Sequence, residues 1–135
     1  MKTQELIVSI FQVFLNVSLI VLAFVLSYYM ILELKDIIVF MFLEQKAAFN
    51  EFLEKILVFF LYFEFIALII KYFKEHYHFP LRYFMYIGIT AMIRVIIIDH
   101  ENPNGTLMFS LSVLVLVIGY TLIRISSNFV NQKDA

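Results

Sequence analysis

No charged residue occurs from Leu6 to Leu32. A helix needs about 20 mostly apolar residues, at roughly 1.5 Å each, to cross a bilayer. This run is long enough, and Asn16 and Ser18 are its only strongly polar positions near the middle. It is too long for the core of a signal peptide, and no small-residue cleavage pattern follows it, so it reads as a retained helix. From Glu33 to Lys55 charges recur every few residues, while Leu34, Ile37, Ile38, Met41 and Phe42 keep a helical spacing. Such an amphipathic segment, over about 34–54, lies in the interface or extends a helix beyond the bilayer. A fifth span is not expected there.

Three further spans follow. The second runs over about 56–72, with Glu64 in its middle. The third covers about 80–98, with Pro80 in its first turn, where a missing N–H costs nothing. Asp99 to Gly105 reads as a turn in which Pro103 and Asn104-Gly105 end one helix, and Thr106 or Asn104 caps the next. The fourth span, about 107–123, is uncharged and is closed by Arg124. The expected fold is all-α: an integral membrane four-helix bundle, one domain over 1–135, with the amphipathic segment between helices 1 and 2.

Composition supports this pattern. Of 135 residues 63% are hydrophobic, against about 45–50% in soluble domains. Mean hydropathy is +0.92. A soluble domain of this size could not hide so much apolar surface. Disorder, nucleic-acid binding and an ordinary cytosolic enzyme are excluded. Cysteine is absent, which removes disulfides, thiolate metal sites and a cysteine nucleophile. Three glycines leave no glycine-rich phosphate loop.

Charge sets the expected orientation. Four spans place both termini and the loop between helices 2 and 3 on one side. That side holds Lys2, Lys71, Lys74, Arg82, Arg124 and Lys133; the other holds Lys35, Lys46 and Lys55, with Arg94 just inside helix 3. The bias predicts cytoplasmic termini.

Glu64 is the costly residue. A charge at mid-bilayer costs about 2.5–3.5 kcal/mol on insertion scales, so it must be protonated or partnered. Lys71 lies about 10 Å further along the same helix, too far for easy contact. Folding the chain back near residues 76–77 brings Tyr86 to Thr90 to the depth of Glu64, with Arg94 about one turn beyond. Arg82, Tyr86, Thr90 and Arg94 form a broad polar stripe on helix 3, where Gly88 and Ala91 permit close helix approach. The expected intramembrane polar network is therefore Glu64, Tyr86, Thr90 and Arg94. It serves helix packing, passage of a proton or ion, a counter-charge to a substrate, or a subunit interface.

A second cluster gathers Lys71, Lys74, His78 and Arg82 near the start of helix 3, with tyrosines interleaved. It fits an anion or an anionic lipid headgroup, or simple anchoring of the helix ends. A metal site is not expected. His78 and His100 lie about 33 Å apart along helix 3, and Asp99, His100 and Glu101 point in different directions. No serine sits in a nucleophile elbow. No catalytic residue and no cofactor is assigned.

Two stretches, Phe60 to Phe73 (FLYFEFIALIIKYF) and His78 to His100 (HFPLRYFMYIGITAMIRVIIIDH), resemble the PsiE family of phosphate-starvation-inducible bacterial inner-membrane proteins. They contain Glu64, Lys71, His78, Arg82 and Arg94. The resemblance implies a plasma-membrane protein linked to phosphate limitation and assigns no biochemical activity. The expected function is a small accessory or regulatory protein of that stress response, not an enzyme. It would act through membrane lipids, anionic ones included, or through an unidentified protein partner. The alternative is a small homo-oligomeric transporter or channel centred on Glu64 and Arg94.

Overall fold

The computed structural model describes residues 1–43, 49–99 and 101–134. Four helices account for almost all of them: α1 (Lys2–Leu43), α2 (Phe49–Lys74), α3 (Leu81–Ile98) and α4 (Pro103–Asp134). All four are long and apolar enough to cross a membrane. The shortest, α3, has 18 residues. That is about 27 Å by helical rise, close to the thickness of the hydrocarbon core. It therefore fixes the depth of everything packed against it.

Neighbouring helices pack in chain order. α1 lies on α2, α3 lies on α4, and a sparser seam joins α2 to α3. Among the described residues α1 and α4 do not touch, so they form the two outer edges of a row. Antiparallel register between α1 and α2 is set by three contacts. Tyr72 meets Gln12 and Asn16, Tyr29 stacks on Tyr62, and Phe40 stacks on Phe52. Burial is sparse: among the described residues Ile69 of α2 and Ile87 of α3 are the buried hydrophobic side chains, 7% and 4% exposed, and Ile69 lies beside Ile20, Ala23 and Phe24 of α1.

The charged stretch 34–54 does not form a separate helix lying in the interface. Residues 34–43 continue α1 and residues 49–54 begin α2, while 44–48, Lys46 included, fall outside the described residues. The paired extensions reach past the end of α3, held by the Phe40–Phe52 stack with the Lys55 ammonium 5.9 Å from the Phe40 ring. Charges are cheap there because that tip stands clear of the hydrocarbon depth set by α3.

Two helix ends differ from expectation. α4 starts at Pro103, so Asn104-Gly105 lies within its first turn rather than in a loop. Asn102 caps it: its side-chain oxygen accepts from the Gly105 N–H at 3.5 Å, and its carbonyl accepts from the Thr106 N–H at 3.0 Å. Proline at the first helical position after an asparagine cap outweighs the turn signal of Asn-Gly. Pro80 sits just before α3 as its N-cap, not inside the first turn, and offers no side-chain cap.

Between α2 and α3 the chain reverses tightly. The Tyr77 N–H reaches back to the Tyr72 carbonyl at 3.1 Å. His76 and Tyr77 both have positive φ, 57° and 66°. This is a Schellman-type ending in which histidine occupies the left-handed position usually held by glycine.

Glycine roles are also redistributed. Gly88 faces open space, whereas Gly119 on α4 admits the Met85 side chain of α3, whose Cε lies 3.2 Å from where a Cβ would stand. The close approach is thus made by the α3–α4 pair.

Candidate functional site

Glu64 projects from α2 and Arg94 from α3, and their side chains are 17% and 13% exposed. Nη2 of Arg94 donates to Oε1 of Glu64 across the seam. Both lie within the depth spanned by α3, where an unpaired charge is costly, so the pair is neutralised internally. The other guanidinium nitrogen, Nη1, is buried with no acceptor among the described residues. The contact is therefore single-pronged, weaker than the two-pronged fork that arginine makes with carboxylates elsewhere.

Thr90 stands beside the pair, its hydroxyl oxygen 3.4 and 3.5 Å from the two carboxylate oxygens. A hydroxyl has one proton, and the Ile87 carbonyl at 2.9 Å is the better acceptor for it. Thr90 is thus a neighbour of the ion pair, with its proton committed to its own helix. Tyr86 stands apart: it is 57% exposed, stacks near Tyr83 with ring centres 6.5 Å apart, and faces a different cavity.

That cavity opens at the end of the molecule that carries both termini. It measures about 670 Å³ and is bounded by the last turn of α2, the first turns of α3 and the C-terminal half of α4. Lys71 and Arg82 line it, together with Glu75, Tyr83, Tyr86, Tyr120 and Ser127. Lys74 and His78 do not line it, and His100 falls outside the described residues. The Lys71 ammonium is 3.9 Å from Glu75 and 5.2 Å from the centre of the Tyr83 ring. Arg82 has no ion pair among the described residues. No group of three or more metal-ligating side chains occurs among the described residues.

Comparison with known proteins fits this architecture to a family. The profile of the Phosphate-starvation-inducible E family, PsiE, matches residues 7–128. The chain belongs to the PsiE family. A "Protein PsiE homolog" of Bacillus anthracis is 55% identical over 112 residues, covering 83% of this chain and 84% of that one. Another "Protein PsiE homolog", from Bacillus cereus, is 54% identical over the same length and shares. No solved structure matches. With four helices able to cross a bilayer, this PsiE-family chain is a multi-pass membrane protein.

Tyr120 and Ser127 were missed from sequence because they lie on α4, some forty residues beyond Arg82, inside or just past an uncharged run. Only the α3–α4 register brings them to Lys71. A signal did exist: Tyr120 is the single tyrosine of the fourth span, near its charged end, where amphipathic rings gather. Gln12 was missed as well. Its Nε2 donates to Tyr72 Oη at 2.8 Å and to Asn16 Oδ1 at 2.9 Å, so a polar group early in α1 is satisfied across to α2.

Proposed function

We propose that this chain is a small accessory or regulatory protein of the bacterial plasma membrane. It serves the phosphate-limitation response by contact with lipid and with protein, second copies of itself included. Membership of a phosphate-starvation-inducible family supports the physiological setting. The observation that carries the contact-based reading is the surface. The chain exposes 10572 Å², whereas a compact monomer of its 16.0 kDa mass exposes roughly 7,400 Å². The excess belongs to the faces of an open row of helices, where large hydrophobic side chains such as Phe14, Phe24, Leu114 and Val115 stand more than half exposed. Such a surface is built to be covered by other molecules.

The Glu64–Arg94 pair supports the same reading. It neutralises itself between α2 and α3 and so favours joining the two hairpins over carrying a proton or ion. The excess of Lys and Arg at the end holding the termini supports a cytoplasmic placement for both.

Purified protein in proteoliposomes tests the reading. Under an imposed proton or potassium gradient, the expected flux equals that of protein-free vesicles. A flux well above that background, lost in Glu64→Gln, would overturn the contact-based function in favour of transport.

A further inference from the structure

The cavity at the α2–α3–α4 junction has chemistry that the ion pair does not use. Two cations, Lys71 and Arg82, face one carboxylate, Glu75. The lining therefore carries one net positive charge. Its other polar groups are hydroxyls, from Tyr83, Tyr86, Tyr120 and Ser127. Hydroxyls and cations together form a donor set suited to the oxygens of an oxyanion. Phe79, Leu81 and Ile123 supply an apolar wall. At about 670 Å³ the space lies within the usual range for small ligands.

Depth narrows the ligand class. Arg82 occupies the first turn of α3, so the cavity stands at one boundary of the hydrocarbon slab that α3 measures. Phospholipid phosphates lie at that level, and one net positive charge matches the single negative charge of a phosphodiester. Lys71 is held loosely: its carboxylate partner is 3.9 Å away and both side chains are about half exposed. Arg82 is uncommitted, so both cations are free to turn to an incoming anion.

We propose that this cavity binds a phosphate-group oxyanion, supplied by the headgroup of an anionic phospholipid. Lys71 and Arg82 hold the phosphodiester, the hydroxyls of Tyr120 and Ser127 reach its free oxygens or the glycerol, and the apolar wall takes the start of an acyl chain. The site deepens the contact-based function and rests on it only in taking lipid as a working partner.

The test is native mass spectrometry of the full chain released from nanodiscs of phosphatidylglycerol and phosphatidylcholine, with and without millimolar inorganic phosphate. The wild-type chain should retain phosphatidylglycerol at a stoichiometry of one per chain, undiminished by inorganic phosphate. Lys71→Ala with Arg82→Ala should lower retention at least tenfold, while Lys74→Ala with Lys133→Ala, outside the cavity, should leave it intact. Arg82→Lys should restore part of it, which separates loss of a contact from loss of fold. Equal retention in the Lys71/Arg82 variant overturns the site. Displacement of the lipid by inorganic phosphate overturns the lipid as source and assigns the cavity to the free anion. Absent retention would leave the flux result untouched, and flux in liposomes would leave retention untouched, so the two proposals fail separately.

Discussion

Removing one partner of the Glu64–Arg94 pair should destabilise the joint between the hairpins far more than removing both. The two side chains are 17% and 13% exposed, so each single change strands a charge that is mostly withdrawn from solvent. Breaking such a pair costs about 3–5 kcal/mol in buried settings, and insertion scales give about 2.5–3.5 kcal/mol for a charge at mid-bilayer. The two single changes are not equivalent. Glu64→Gln leaves a guanidinium that cannot discharge, with Nη1 already lacking an acceptor among the described residues, and should cost about 3 kcal/mol. Arg94→Met leaves a carboxylate that escapes by taking up a proton, and should cost about 2 kcal/mol. The double variant buries no charge and should lie within about 1 kcal/mol of wild type. The shortfall from additivity is then at least about 4 kcal/mol, above the usual range for touching pairs because each single variant strands a charge in the membrane. The assay is equilibrium unfolding by SDS in mixed micelles, followed by energy transfer between labels on α1 and α4. The chain has no cysteine, so two introduced thiols label cleanly. Single variants within about 0.5 kcal/mol of wild type, or a double variant as costly as the two singles combined, would refute a pair that joins the hairpins.

Three smaller perturbations probe other joints. Tyr72→Phe removes the hydroxyl that accepts from Gln12 at 2.8 Å and should cost about 1 kcal/mol in the same unfolding assay. At the left-handed turn, where His76 has φ 57°, His76→Gly should be neutral or stabilising by up to about 1 kcal/mol, while a β-branched His76→Val should cost about 1–2 kcal/mol. Thermal unfolding in detergent should rank the three in that order. Asn102→Ala removes the cap of α4 and should cost about 0.5–1 kcal/mol. Asn102→Asp should retain stability, and faster amide exchange at Gly105 in the alanine variant alone would localise the loss.

Much of the architecture was legible because hydrophobic runs in a membrane chain have few alternatives: a spanning segment must satisfy its own backbone, and a helix does so. The four runs become four helices for that reason. Glu64 and Arg94 could be matched because a lone carboxylate in such a run demands a partner, and depth counting leaves few candidates. What could not be read was rotation. Tyr86 shares a stripe with Thr90 and Arg94 on paper, but four residues turn a helix by forty degrees more than one full circle. Two such steps from Arg94 carry Tyr86 round to the cavity beside Tyr83. Small residues misled for the same cause: Gly88 and Gly119 look alike in sequence, and only the facing helix decides that Gly119 receives Met85 while Gly88 meets open space. The start of α4 was misread because Asn104-Gly105 scores as a turn, whereas Asn102-Pro103 makes a good cap and first residue.

The division of labour between the joints follows from where apolar area runs out. α1 with α2, and α3 with α4, meet along most of their shared length, so each hairpin is held by many small contacts. The α2–α3 seam is thinner. On the side away from the termini it is closed by Glu64 and Arg94. On the side of the termini it ends at the tight turn through His76 and Tyr77, beside the cavity where α2 supplies Lys71, α3 supplies Arg82 and α4 supplies Tyr120. An oxyanion held there would draw three helices together at the end of the seam where, among the described residues, no ion pair joins α2 to α3. Such a ligand stabilises the closed arrangement by mass action, in proportion to its occupancy. The joint between the hairpins would then respond to the lipid around it. That coupling would give a membrane chain of this kind a physical route by which to respond to a phosphate-bearing surface.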